Sequence, residues 1–498
     1  MADLKDGSNH SRNEPSDAAS LESLTQRLSG RRPIVELLLL SAPTVAQMAS
    51  YTLMQFADRW MLARVGDLEA AAAGTSGITY FCVIGFGFGV LLLVNTLVSQ
   101  SFGRSELGST GRYLWQGMWF GVAFGVATLV LWPVAEPMFA VMGHEPRMVR
   151  LEAQYMRVVA LAGWAKLAAV AMSQFLLGLH RPGIVFAGTL VGILANVFFN
   201  WLLIYGNWGF PALGVAGAAW GTNAAVACEL LIMGLYVWRA EFARVHATLD
   251  WRPRWPMLRT LLRVGLPAGF QLVCDIAAWM IFMNVIVASF GTAALSANSF
   301  AFSYMHLCFM PAIGVGNAVT ALVGKYIGMG RPDLSARRAH LGFVVCAIYM
   351  VLAGIVLWMF RYELLGIFSQ DPQVLRIGST IMFFVAIYQI FDAMFVVYVG
   401  ALRGAGDTLV PAVVQAVLVW TIVVFGGAFL AWRAPEYGVA GPWTLATVFG
   451  ALLGLFLLWR FVRGQWRSIR LHHDQPQSAI SNVSDQSAKL SVLTEASS

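Results

Sequence analysis

The sequence predicts an all-α integral membrane protein with 12 transmembrane helices, arranged as two equivalent six-helix halves. Three observations predict it. The chain is 58% hydrophobic and only 12% charged, whereas soluble domains carry about 25% charged residues. It contains 12 apolar segments of 20 or more residues, each long enough to cross a hydrocarbon core about 30 Å thick. It also repeats itself. Gly66 recurs as Gly291, Gly89 as Gly314 and Gly103 as Gly328 at an offset of 225. Gly214-Val215-Ala216-Gly217 returns as Gly438-Val439-Ala440-Gly441 at 224, and Arg181 as Arg403 at 222. A duplicated membrane bundle is the usual plan of a transporter that rocks about a site between its halves. The repeat thus points to movement of a solute.

In chain order, residues 1–33 are a polar leader with no apolar face and are expected to form a disordered cytoplasmic tail. Apolar sequence starts near Ile34, so no cleavable secretory signal is visible. Six spans follow, at about 36–64, 70–101, 113–140, 153–178, 184–206 and 212–238. They make a first bundle over 34–238, which a cytoplasmic linker, 239–257, joins to a second bundle over 258–466. The second bundle has spans at about 258–289, 292–325, 338–360, 374–400, 408–432 and 440–462. Residues 467–498 form a second polar tail, where Asn482-Val483-Ser484 matches a glycosylation acceptor by chance.

Basic residues orient the bundles. With both termini inside, the cytoplasmic side carries 21 Lys and Arg and the outer loops carry 8. Cations are retained on the cytoplasmic side during insertion, which supports an even span count and both ends inside. The net charge of +7 is therefore a consequence of topology. It does not mark nucleic-acid binding, which needs a folded basic surface with aromatic platforms.

The residues also exclude several chemistries. Cys82, Cys228, Cys274, Cys308 and Cys346 lie far apart in apolar segments and read as small core residues. No HExxH, GxSxG, phosphate loop or dinucleotide fingerprint occurs. Gly85, Gly87 and Gly89 sit within a span, where glycines allow close helix packing.

Charges inside the spans carry the chemistry, since each costs roughly 2.5–3.5 kcal/mol at mid-bilayer. The candidates are Asp58 at the outer end of span one, Lys166 in span four, Glu229 in span six, Asp275 in span seven and Asp392 in span ten. Asp275 follows Pro267 by eight residues, and Tyr388 lies one turn before Asp392 on the same face. Two facing buried aspartates would hold a proton or Na⁺ and release it when a cationic solute arrives. The plainer reading of each is a hydrogen-bonded interior group. Among aromatics, Phe282, Trp279 and Tyr304 are candidates to bind flat cations through their ring faces. His306 reads as a neutral interior histidine.

Tyr388-Gln389-Ile390-Phe391-Asp392, followed by Gly400-Ala401-Leu402-Arg403-Gly404-Ala405-Gly406-Asp407-Thr408, resembles the span-ten signature of MATE multidrug and toxin extrusion transporters, NorM branch. Gly265-Leu266-Pro267 with Asp275 resembles the family's span seven, where Glu is usual. Asp58 through Gly66 resembles its span-one motif, and Gln100-Ser101-Phe102-Gly103 the end of span two. Asn196 to Trp201 resembles its span five, and Gly214 to Thr222 its span six. The resemblance covers about residues 34–465.

The resemblance implies two six-helix bundles related by a pseudo-twofold axis along the membrane normal, around a V-shaped cavity. It implies export of organic cations across the inner membrane, coupled to inward H⁺ or Na⁺. Asp275, Asp392 and Tyr388 map onto the coupling-cation site, with Na⁺ as its one candidate metal ion. Asp58, Asn196, Asn200 and Thr222 map onto a first-half proton or cation site. A monomer needing no cofactor beyond the coupling ion is expected, with small organic cations and the bilayer as its partners.

Three departures qualify the mapping. Asp275 is one methylene shorter than Glu, and Arg59 follows Asp58 either as an ion-pair partner or as a snorkelling cation. Lys166 has no counterpart in the pattern. It is expected to pair with Glu229 or Asp58 within the first bundle, the alternative being a cavity-facing cation that favours anionic solutes. Two rival functions remain: a lipid-linked sugar flippase, which would show a more cationic cavity, and an integral-membrane enzyme, which would need clustered His, Ser or metal ligands.

Overall fold

The computed structural model describes residues 32–471. Most of both predicted tails, with Asn482, lies outside the described residues. Among the described residues, eleven helices are long and apolar enough to cross a membrane, and a bent pair brings the number to 12. The chain is a multi-pass membrane protein. The first half contains α1 (Pro33–Ala63), α2 (Asp67–Gly103), α3 (Leu107–Val141), the bent pair α4 (Pro146–Leu161) and α5 (Gly163–Gly178), α6 (Pro182–Tyr205) and α7 (Val215–Val237). A short helix α8 (Ala240–His246) lies in the connection. The second half contains α9 (Trp255–Phe290), α10 (Thr292–Gly328), α11 (Pro332–Met359), α12 (Pro372–Ala405), α13 (Leu409–Arg433) and α14 (Ala440–Arg463).

The fourth span differs from its expected start at 153. It begins at Pro146 and bends by 52° between its two pieces. Arg147, Arg150, Glu152 and Arg157 disguise its first turns as a loop. Glu152 is nevertheless fully buried, because Thr75 Oγ1 donates to it at 2.5 Å and His144 Nδ1 lies 2.8 Å away.

The repeat is visible as geometry. Helices α2 and α10 are both 37 residues long. Gly214 and Gly438 share φ values of 53° and 54°, a conformation that side chains disfavour. Contacts between the halves are reciprocal. A Cβ on Gly103 would lie 2.1 Å from the carbonyl O of Lys325, and one on Gly328 would lie 2.2 Å from that of Gln100. Gln100 and Lys325 are themselves repeat partners, and Gly103 and Gly328 face each other directly. Gly89 packs on Gly269 just as Gly314 packs on Val45. Such isologous exchange is what a twofold axis produces, and here the axis passes between Gly103 and Gly328.

The end of the bundle that holds Gly103, Gly328 and the start of α1 is called the base, and the opposite end the rim. Inner helices are sealed at the base. Residues 89–101 of α2 are buried except Leu92, and 312–326 of α10 except Ile313. Towards the rim the same helices expose many more residues. Small residues let the backbones meet where water is excluded. Thr44 Oγ1 donates to Gly314 O at 2.8 Å, Gln100 Nε2 to Gly404 O at 2.9 Å and Thr96 Oγ1 to Arg403 O at 2.9 Å.

A buried ionic knot completes the seal. Glu36 of α1 accepts from Lys325 Nζ at 3.1 Å, Arg338 Nε at 2.8 Å and the Tyr326 hydroxyl at 2.8 Å. Glu36 and Lys325 are almost wholly removed from solvent. Losing one partner of such a knot costs about 3–5 kcal/mol, because it strands the remaining charges. The knot therefore ties the first helix to the second half.

Candidate functional site

The second-half site grows from α9, α12 and α13. Pro267 starts a face that carries Gln271 one turn on and Asp275 one turn further. Gln415 of α13 donates from Nε2 to Asp275 Oδ1 at 2.9 Å, and its Oε1 accepts from Gln271. The two glutamines thus hold Asp275 in place. Asp392 of α12 stands within electrostatic reach of Asp275, with Tyr388 close to both. Tyr388 is seated against Gly450 of α14, where a Cβ would come within 2.6 Å of its ring.

Asp392 is 4% exposed, and its Oδ2 has no hydrogen-bond partner among the described residues. Both amide ends of Gln389 are likewise buried and unpartnered. Buried polar groups are nearly always satisfied, so this carboxylate and amide oxygen form a donor set suited to a proton or a small hard cation. Trp279 approaches Tyr388 edge-on at 6.1 Å, and Trp443 donates to Asn298 Oδ1 at 3.0 Å.

The first half holds two polar centres. Nearer the rim, Asn200 Nδ2 donates to Asp58 Oδ1 at 2.5 Å and lies 3.2 Å from Asn196 Oδ1. Both asparagines are fully buried. Gly221 of α7 leaves room for the Asn200 amide, since a Cβ there would clash with it. Thr222, the next residue on α7, turns its hydroxyl back to Ala218 O at 3.1 Å. Arg59 is exposed and makes no ion pair with Asp58, which fits the snorkelling account.

Two turns deeper, Glu229 Oε1 accepts from the Tyr51 hydroxyl at 2.7 Å and from Thr189 Oγ1 at 3.0 Å. Lys166 lies over the Tyr51 ring, its Nζ 5.4 Å from the centroid. No ion pair within 4.0 Å joins Lys166 to Glu229 or to Asp58. Both groups expected to meet instead contact Tyr51, Lys166 at its ring and Glu229 at its hydroxyl.

Several residues escaped the sequence reading. Gln271, Gln415 and Gln389 carry no charge, and Tyr51 and Thr189 are common in spans; only their helical register with the acids marked them. Of the candidate aromatics, Phe282 is fully buried, packed edge-on against Trp443. Tyr304 gives its hydroxyl to Leu364 O at 2.9 Å. Trp279 and Tyr304 are both half-exposed.

A family model for MatE matches residues 43–202 and again 267–427, once in each half. A probable multidrug resistance protein NorM of Mesorhizobium japonicum is 28% identical over 446 residues, 87% of this chain and 94% of that protein. The multidrug resistance protein PmpM of Pseudomonas aeruginosa is 29% identical over 465 residues, 90% of this chain and 95% of that one. Among solved structures, the eukaryotic MATE transporter AtDTX14 superposes with a TM-score of 0.78 at 16% identity, covering 88% of this chain and 97% of that one. A MOP superfamily transporter of Pyrococcus furiosus gives 0.80 at 17% identity, over 89% of this chain and 98% of that one.

Proposed function

The chain belongs to the MatE family, and from that premise we propose that it exports organic cations, among them drugs or toxins, in exchange for inward H⁺ or Na⁺. One observation carries the reading: Asp392 is buried with an unpartnered oxygen, within electrostatic reach of Asp275. An isolated buried carboxylate costs several kcal/mol unless a counter-charge accompanies it. Such a pair holds the coupling ion when the rim is open and yields it when a solute cation arrives.

Coupling requires that ion and solute each favour a different state, because a ligand with equal affinity for both shifts nothing. The sealed base and exposed rim supply one of those states. Parting the reciprocal glycine contacts and the Glu36 knot would supply the other. Basic residues crowd the base loops, so the base is assigned to the cytoplasm of a bacterial inner membrane, with the protein acting as a monomer. Export then runs towards the rim.

The test is dye efflux from vesicles under an imposed pH gradient or an imposed Na⁺ gradient, applied separately. Efflux is expected to follow one gradient, and Asp392→Asn to lose it at least tenfold with membrane expression unchanged. Full efflux by Asp392→Asn would overturn the assignment.

A further inference from the structure

Helix α9 turns one face to the first half and the opposite face outward. Leu261, Val264, Gly265 and Ala268 are buried, and Gly265 and Gly269 pack against α2 at Val90 and Phe86. Arg259, Arg263, Leu266 and Phe270 are exposed, and their spacing of four, three and four places them on one stripe. In a membrane-spanning helix that stripe faces lipid. Leu266 and Phe270 suit such a setting, and the two arginines do not. Neither arginine makes a hydrogen bond or an ion pair among the described residues. Asp250 in the preceding linker is already held by Arg112 and Arg254, at 3.2 and 2.8 Å.

The duplication supplies a control within the molecule. The family model starts its two matches at 43 and 267, an offset of 224 that pairs Pro43 with Pro267. In that register α1 repeats the burial of α9, with Leu37, Leu40, Ser41 and Thr44 on the inner face. The positions equivalent to Arg259 and Arg263 are Val35 and Leu39, both exposed. The fold thus accepts plain apolar residues at both places, and the cations are not needed to build the helix. Retention of cations at the cytoplasmic end accounts for basic loops. Arg263, however, stands inside a helix that begins at Trp255, about 12 Å along its axis. Trp251 and Trp255 are exposed at the same end, which sets it at the level of lipid headgroups.

We propose that Arg259 and Arg263 bind the phosphate of one anionic phospholipid in the leaflet at the base, with its acyl chains along Leu266 and Phe270. Guanidinium donors match phosphate oxygens in pairs, and side chains one turn apart reach a single phosphodiester. A zwitterionic lipid brings its own ammonium and leaves the second arginine uncompensated, so the site selects for net negative charge. Bound lipid fastens the base end of the helix that carries Asp275. Only the membrane assignment underlies this site, which stands apart from the export reading.

The purified chain in detergent is titrated with dioleoylphosphatidylglycerol and, separately, with dioleoylphosphatidylcholine, and bound lipid is counted by native mass spectrometry. Wild type is expected to bind one phosphatidylglycerol about tenfold tighter than phosphatidylcholine. Arg259→Gln with Arg263→Gln removes that preference, whereas Arg259→Lys with Arg263→Lys keeps most of it. Arg463→Gln with Arg467→Gln, at two exposed base cations that lie over Trp459 and Trp466, leaves it intact. Equal affinity of wild type for the two lipids overturns the site. An equal loss in the two glutamine variants also overturns it, because the attraction then belongs to all the base cations together. Displacement of the lipid by inorganic phosphate would assign the arginines to a free anion and overturn the lipid site as well.

Discussion

Single residues in this protein divide by whether the fold has already satisfied them. Glu152 and Asp407 are closed accounts: the first has Thr75 and His144, and the second a two-pronged contact with Arg460 at 2.7 and 2.9 Å. Asp392 and Gln389 are left open in the same surroundings, which marks them for a ligand. His246 at the base shows how burial acts on an ordinary group. Its ring lies 3.0 Å from Thr110 Oγ1, and burial, with Arg181 adding to it, lowers its pKa to about 4. A histidine held neutral in the folded state binds fewer protons than its unfolded counterpart between about pH 6.5 and 4. Stability is thus full above that window and falls as pH drops through it. Thermal unfolding between pH 7 and about 4 is expected to show a smaller loss for His246→Gln than for wild type. Equal losses would remove His246 from the account.

Helices meet here through glycine, and this decides what the conspicuous motifs do. In the stretch from Gly400 to Thr408, a Cβ on Gly400 would sit 2.7 Å from Gly316 O, and one on Gly404 2.6 Å from Thr320 O. That motif is a packing device for α12 on α10, and the proposed ion site lies a few turns earlier, at Tyr388 and Asp392. Gly103 is the sharper case, because its would-be Cβ strikes a backbone carbonyl that cannot swing aside. Gly103→Ala is expected to separate the halves at the axis, costing about 1–3 kcal/mol as other overpacked contacts do. The measurement is thermal unfolding in detergent beside Gly74→Ala, where a Cβ meets nothing within 4 Å. Equal melting of the two variants would place the axis elsewhere. The apolar segments and the glycine spacing were both legible in the sequence. The bend at Gly163 was not, because charged residues on α4 that find partners in the fold look like loop residues when read singly.

At the scale of the molecule, the two halves form one seam that is tight at the base and loose at the rim. The tightness is cooperative: reciprocal glycine contacts, backbone carbonyls capped by Thr44, Thr96 and Gln100, and the Glu36 knot all lie on the same side. If export needs this seam to open, a covalent tie should stop it. Ser99 and Gly324 suit the purpose, since the Ser99 Cβ lies 3.1 Å from where a Gly324 Cβ would be, near the span of a disulfide. The double variant Ser99→Cys, Gly324→Cys is expected to lose export on oxidation and regain it with dithiothreitol. Undiminished export by the cross-linked protein would rule out alternation about this seam.

The sequence by itself determined the class of molecule, because membrane burial demands long apolar helices and a duplicated chain leaves its glycines at constant spacing. It also singled out Asp58, Glu229, Asp275, Asp392 and Lys166, because a charge in a span stands out against its neighbours. Only the tertiary structure decided which charges meet. Glu229 takes the Tyr51 hydroxyl as its partner and not Lys166, Gln415 rather than Asp392 holds Asp275, and Glu36 joins helices almost 300 residues apart. Partnership depends on distances between helices, and a linear pattern records only the face each residue occupies on its own helix.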